Sequence, residues 1–129
     1  MRLLLDTHAF LWWLAGDEAL SDAARTAIAG EGNDIFVSAA SAWEIATKFR
    51  IGKLPSGGRI IEQWTDRLTA DHFSELPMSA QHALRAGTLP GEHRDPFDRM
   101  IAAQSRIEGL PVASVDAALS ELGAERMWE

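Results

Sequence analysis

Apolar residues fall along this chain in short continuous bursts, separated by stretches where they recur every third or fourth position. Leu3, Leu4 and Leu5 are unbroken, as in a strand covered on both faces, so residues 1–5 are predicted to lie centrally in a sheet. Residues 7–15 carry Phe10, Leu11, Trp12, Trp13 and Leu14, too apolar for an exposed loop, and Gly16 supplies a stop; a short buried helix is expected. Ser21 is placed to cap a helix over 22–29, with Asp22 in its first turn and Gly30 at its end. A turn cluster over 30–34 leads to a second buried strand at Ile35, Phe36 and Val37.

A helix over 39–50 follows, capped by Ser38 or Ser41, with Ala42, Ile45, Ala46 and Phe49 as its apolar face and Glu44 off that stripe. Residues 54–58, Leu-Pro-Ser-Gly-Gly, form the loosest segment but no domain boundary. A helix over 59–70 then carries Ile60, Ile61, Trp64 and Leu68. A short third strand at 73–76 ends at Pro77, and Ser79 caps a helix over 80–86 before Gly87. Asp95 opens a helix over 96–108 that Gly109 stops, 112–115 is a fourth strand, 117–122 a final helical turn or two, and 126–128 an edge strand. Strands separated by helices predict an α/β fold, a three-layer α/β/α sandwich with a mostly parallel sheet of four to five strands. The whole chain, 1–129, is expected to be one domain, since 47% hydrophobic residues suffice for a core at this length.

Composition narrows the chemistry. With no cysteine, disulfide frameworks and thiolate zinc sites are excluded and a reducing, cytoplasmic setting is expected. Three leucines before Asp6 are too few for a signal-peptide core, and no run reaches the length of a membrane span, so no membrane association is expected. Nineteen acidic against 12 basic residues give a net charge of −7, which disfavours wrapping nucleic acid by phosphate neutralisation. Acids gathered in one cleft would instead be offset by divalent cations, which in turn accept phosphate oxygens.

The acids are placed for such a cleft. Asp6 ends the first strand and Asp116 follows the fourth, and in open parallel sheets the ligand crevice lies beyond the carboxyl ends of the strands. Glu44 on the third helix, and Asp95 and Asp98 in His-Arg-Asp-Pro-Phe-Asp, lie between them in sequence. Each has a structural reading beside the functional one. Asp95 is an N-cap with Pro96 at N1, Asp98 is at the capping-box position, and Asp116 is placed to cap 117–122. Glu44 precedes Lys48 by four residues, a surface pair of about 0.2–0.5 kcal/mol, although Ala40, Trp43 and Thr47 flank it. Asp6 is the hardest to explain structurally, because a carboxylate closing a buried strand is costly unless paired or metal-bound. His8, His72, His82 and His93 lack the spacing of a helical zinc pair. No Gly-x-Ser-x-Gly elbow supports Ser38, Ser41 or Ser114 as a nucleophile, and Gly57-Gly58 lacks the phosphate-loop lysine. Trp12, Trp13, Trp43 and Trp64 are read as core, with some available for a subunit interface.

Four blocks taken together resemble the PIN-domain ribonucleases, and more narrowly the VapC-type toxins of type II toxin–antitoxin pairs, over nearly the whole chain. They are Leu-Leu-Leu-Asp6-Thr7-His8, Ser-Ala-Trp43-Glu44-Ile-Ala-Thr-Lys48, His93-Arg-Asp95-Pro-Phe-Asp98-Arg-Met-Ile-Ala-Ala-Gln, and Ala-Ser114-Val-Asp116. The resemblance implies an endoribonuclease dependent on Mg²⁺ or Mn²⁺, in which Asp6, Asp98 and Asp116 hold the metal and Glu44 completes the acidic set. It maps the third acid to Asp98 and leaves Asp95 as cap or supporting partner, with Thr7 also supporting. Ser114 stands where the family more often has Thr and keeps the hydroxyl. An RNA substrate, a homodimer and a cognate antitoxin that inserts a segment into the cleft are likewise implied. The other readings are a PIN nuclease without an antitoxin, a Mg²⁺-dependent phosphatase using Asp6 (which lacks a second acid, since that place is His8), and a noncatalytic module whose acids only cap helices.

Overall fold

The computed structural model describes residues 1–129. Its strands are β1 (Arg2–Leu5), β2 (Asp34–Ser38), β3 (Ser74–Leu76), β4 (Val112–Ala113) and β5 (Arg126–Met127), all paired in parallel in the order β3-β2-β1-β4-β5. The fold is thus a five-stranded, wholly parallel α/β sandwich. Its helices are α1 (Thr7–Ala15), α2 (Asp22–Ala29), α3 (Ala39–Arg50), α4 (Gly57–Glu62), α5 (Trp64–Ala70), α6 (Ala80–Thr88), α7 (Pro96–Glu108) and α8 (Ala118–Glu121).

Side chains alternate across the strands, and the two faces of β1 feed two cores. Leu3 and Leu5 pack with Phe10, Ala24, Ile45, Ile60 and Leu68 on one side, whereas Leu4 packs with Ile101, Leu110, Val112 and Leu119 on the other. All three leucines are fully buried, each contributing about 1.5–3 kcal/mol from burial. That double burial is why the run is continuous in sequence. The chain moves from β1 to β2 and β3 in one direction and returns to the opposite edge of β1 for β4 and β5. β1 and β4 therefore flank the point where strand order reverses, the place at which such sheets bind ligands.

The expected elements are present, with differences at their ends and faces. The helix over 59–70 is broken at Gln63 (φ −107°, ψ 16°) into α4 and α5. α4 begins at Gly57, inside the segment read as loosest; Gly57 and Gly58 are there because a Cβ would come within 3.0 Å of Phe49 atoms. α6 runs through Gly87 to Thr88, and β4 keeps only two residues, so Ser114 and Val115 leave the sheet. α3 buries Ala40, Ser41, Glu44 and Ile45, so of the predicted stripe Ile45 lies inside, Ala42 is half-buried, and Ala46 and Phe49 are exposed. Trp43 is also exposed instead of core and meets Phe97 edge-on, with ring centroids 4.8 Å apart. The fully tucked tryptophan is Trp128, packed on Trp12.

Candidate active site

The parallel pairing brings two acids to one edge. Leu5 of β1 lies beside Ala113 of β4, and the Asp6 N–H donates to the Ala113 carbonyl at 3.2 Å, so the residues leaving both strands are neighbours. Asp6 is extended (φ −76°, ψ 173°) and caps α1, its Oδ1 accepting from the Ala9 N–H at 2.8 Å. It is only 6% exposed. Ser114, fully buried, accepts the Asp116 N–H on Oγ at 2.9 Å and its hydroxyl also faces the Asp6 carboxylate. Asp116 is exposed and accepts the Ala118 N–H at 2.9 Å; it stands one residue before the N-cap of α8, which is Ala117, rather than at the cap itself.

Asp95 takes the cap of α7, its Oδ1 accepting from the N–H groups of Phe97 (2.9 Å) and Asp98 (3.3 Å). Asp98 does not close the capping box by reaching back to the Asp95 N–H; its Oδ2 lies instead 2.9 Å from His93 Nε2. Arg99 anchors the loop before α7 by donating to the carbonyls of His93 (2.8 Å) and Ala86 (2.9 Å). On α3, Glu44 is buried and its Oε2 meets Lys48 Nζ at 2.5 Å, so the expected pair forms with its carboxylate inward. Thr7 and Ser41 share a buried hydrogen bond of 2.9 Å that joins α1 to α3.

These acids sense one another. Burial pushes the Asp6 carboxyl up from 3.8 to about 6; Ser114, the Ala9 N–H and His8 oppose this, and the charge of Asp98 adds to it. Burial also raises Asp98; the His93 hydrogen bond opposes that, and the charges of Asp95 and Asp116 raise it further. Asp6, Asp98 and Asp116 thus form a chain of mutually repelling carboxylates. The donors are hard oxygens, the kind Mg²⁺ and Mn²⁺ prefer, and a cation would relieve both upward shifts. No three His, Asp or Glu side chains, however, are drawn together closely enough to hold an ion. The local bonds explain the spread: Asp6, Asp116, Asp98 and Glu44 are each held by a partner on their own helix or the adjoining loop. The chemistry of the donors nonetheless fits such an ion.

The PIN domain family model matches residues 3–125, a span containing all four acids. The chain belongs to the PIN-domain family. Ribonuclease VapC22 of Mycobacterium tuberculosis (strain ATCC 25618 / H37Rv) is 32% identical over 123 residues, which cover 91% of this chain and 88% of that protein. VapBC2 from Rickettsia felis, solved bound to a DNA fragment from its promoter, superposes with a TM-score of 0.71 over 100% of both chains at 14% identity. Mycobacterium tuberculosis VapC20, a sarcin-ricin loop cleaving toxin, does so with a TM-score of 0.69 at 16% identity, covering 98% of this chain and 99% of that one. At those identities the likeness is one of fold.

Two features of this PIN domain escaped the sequence reading. Asp6 is a helix cap as well as a strand end; the signal was an Asp immediately before the first helical residue. His93 is the partner of Asp98, a pairing that the search for zinc-pair spacing did not find.

Proposed function

We propose that this PIN domain, residues 1–129, is a divalent-metal-dependent endoribonuclease and the toxin of a toxin–antitoxin pair, hydrolysing RNA phosphodiester bonds at Asp6, Glu44, Asp98 and Asp116. The observation that carries the reading is the buried Asp6 carboxylate, raised to about 6 with Asp98 bearing on it, at the switch point of a PIN sheet. A buried acid kept out of its ordinary range by burial and a second acid is costly to the fold and useful to chemistry. The name of the VapC22 relative supports ribonuclease activity, and the VapBC complexes support an antitoxin partner.

Asp6, Asp98 and Asp116 would hold Mg²⁺ or Mn²⁺, with Glu44 completing the set. Such a cation, when bound, supplies polarisation of the scissile phosphate and a more acidic water. The residues do the rest. Ser114 keeps Asp6 and Asp116 in register by facing one carboxylate and accepting the backbone N–H of the other. Thr7 fixes α1 against α3, so that Asp6 and Glu44 keep their separation. Glu44, on giving up Lys48, is the carboxylate available to take a proton from the attacking water as the phosphorus–oxygen ester bond breaks. A homodimer and a cytoplasmic location complete the proposal; no helix is long and apolar enough to cross a membrane.

That each acid is satisfied locally favours one rival, a noncatalytic module whose carboxylates cap helices. Incubating purified protein with a mixed panel of tRNA and messenger RNA, in Mg²⁺ or Mn²⁺ against EDTA and with Asp6→Asn alongside, separates the two. Cutting that needs both metal and Asp6 is expected; no cutting on any RNA, with no metal-induced rise in melting temperature, would overturn the nuclease.

A further inference from the structure

The loop that enters α7 is built around one arginine. Arg99, in the first turns of α7, reaches back and donates to three backbone carbonyls, those of Ala86 (2.9 Å), His93 (2.8 Å) and Leu89. A guanidinium spreads its N–H donors in a rigid fork, so this single side chain ties the end of α6 and the loop after it to α7. The backbone of His93 is thereby fixed without help from its imidazole, and the ring is used elsewhere: Nε2 lies 2.9 Å from Asp98 Oδ2. An ionised carboxylate only accepts hydrogen bonds, so Nε2 carries the hydrogen and donates it; the ring makes this bond whether or not its other nitrogen is protonated. The two side chains are only 30% and 22% exposed, which shelters the bond enough to keep one geometry. Oδ1, the other oxygen of Asp98, accepts no hydrogen bond in the fold. Asp98 belongs to the acid centre, since the charge of Asp116 acts on it and its own charge acts on Asp6.

We infer that His93 is a positioning residue for the acid centre: its Nε2–H pins Oδ2 of Asp98 and leaves Oδ1 for a divalent cation. The terminal torsion of an aspartate is broad and two-fold, so an unheld Asp98 would offer either oxygen over a range of angles, and ordering it would weaken cation binding. A donor on one oxygen removes that freedom beforehand. Carboxylate ligands are ordinarily steadied by such outer partners, and losing one lowers metal affinity about 10–100-fold. The neighbouring acids are held differently. Asp6 and Asp116 accept from the backbone N–H groups of Ala9 and Ala118, which no side-chain substitution removes. Glu44 is paired with the cation Lys48, which an incoming metal ion would have to displace. His93 donates to the far oxygen of Asp98 and need not leave. The inference rests on the metal-dependent reading of this site and deepens it, by assigning a role in cation binding to a residue outside the four acids.

The test crosses ring against donor in the full chain. His93→Phe keeps a ring and loses the N–H, whereas His93→Gln loses the ring and keeps an N–H at similar reach; urea unfolding in EDTA checks that each is folded, and His93→Ala stands in should the Phe variant fail. Mn²⁺ alone is titrated into each protein and followed by the electron paramagnetic resonance signal of the free ion. His93→Phe should bind Mn²⁺ about 10–100-fold more weakly than wild type, and His93→Gln should stay close to wild type. Cutting of RNA by His93→Phe should recover as Mn²⁺ is raised, with kcat returning towards the wild-type value at saturation. Unchanged Mn²⁺ affinity in His93→Phe, with wild type binding and cutting, overturns the positioning role alone and leaves the imidazole as a loop anchor. Equal loss in the Phe and Gln variants overturns it as well, because the ring and not its donor is then what matters. If wild type binds Mn²⁺ and His93→Phe binds it more weakly, but neither cuts any RNA, the positioning role stands and the nuclease reading falls; wild type that binds no Mn²⁺ overturns both.

Discussion

Asp6→Asn separates the energetic cost of the site from its chemistry. Raising the Asp6 carboxyl from 3.8 to about 6, at roughly 1.4 kcal/mol per pH unit, makes its ionisation about 3 kcal/mol costlier in the folded than in the unfolded chain. Because the folded value is the higher one, the stability is fully present below pH 3.8, where both states hold the proton, and is lost as pH rises through 6. Asn carries no charge, and its side-chain oxygen can still accept the Ala9 N–H, since Asn caps helices about as well as Asp. In EDTA the Asn variant should therefore be more stable than wild type above pH 7 by up to about 3 kcal/mol, with the difference closing towards pH 4. Urea unfolding of both proteins across that range measures it directly. A difference that stays constant with pH, or wild type gaining on the variant as pH rises, would refute the claim that burial and Asp98 strain this carboxylate.

The same strain predicts that Mn²⁺ at a hundred times its dissociation constant adds about 2.7 kcal/mol to wild-type stability and much less to Asp6→Asn, read as melting shifts. Lys48→Ala strands a buried Glu44 carboxylate and should cost about 1–2 kcal/mol, less than a fully buried pair because Lys48 is 36% exposed; a paired Lys48→Ala/Glu44→Gln urea series should recover most of it. Thr7→Val leaves the Ser41 hydroxyl without its partner and should cost about 1–2 kcal/mol in a urea melt. Ser114→Ala removes the acceptor of the Asp116 N–H and should lower cleavage more than stability, whereas Ser114→Thr should keep both.

Strands and their order of burial were legible because a parallel sheet covered on both sides writes continuous apolar runs, as in Leu3 to Leu5. The inward face of α3 was not. Its apolar residues Ala46 and Phe49 lie outside while Ser41 and Glu44 lie inside, since this helix presents polar groups to Thr7 and to the acid centre rather than a plain core. Periodicity reads hydrophobicity and is misled where a buried face is polar on purpose. The break at Gln63 was hidden for a related reason: the apolar positions of α4 and α5 continue one pattern, and only packing against Phe49 and β3 separates them. The pairing of His93 with Asp98 depends on how Arg99 folds the preceding loop, which no local spacing encodes.

The rivalry between cap and catalyst dissolves on this sheet. Helices that follow parallel strands begin at the strands' C-terminal edge, so the N-termini of α1 and α3 converge where the ligand crevice lies, and α7 brings its own to the same place through Asp98. Those N-termini expose unpaired N–H groups and favour negative charge. Asp6 and Asp95 satisfy two of them with one oxygen each, and Ser38 satisfies the third with a hydroxyl. The same partial positive charge that makes Asp a good cap offsets part of the repulsion among Asp6, Asp98 and Asp116, which allows carboxylates to be stored together at an apolar edge without a permanent counterion. It also makes this edge receptive to a phosphate. Under the proposed function, capping prepares the acids for a cation and a phosphodiester, and a variant that removes a carboxylate's charge while keeping its capping oxygen, as Asp6→Asn does, is the change able to tell structure from function.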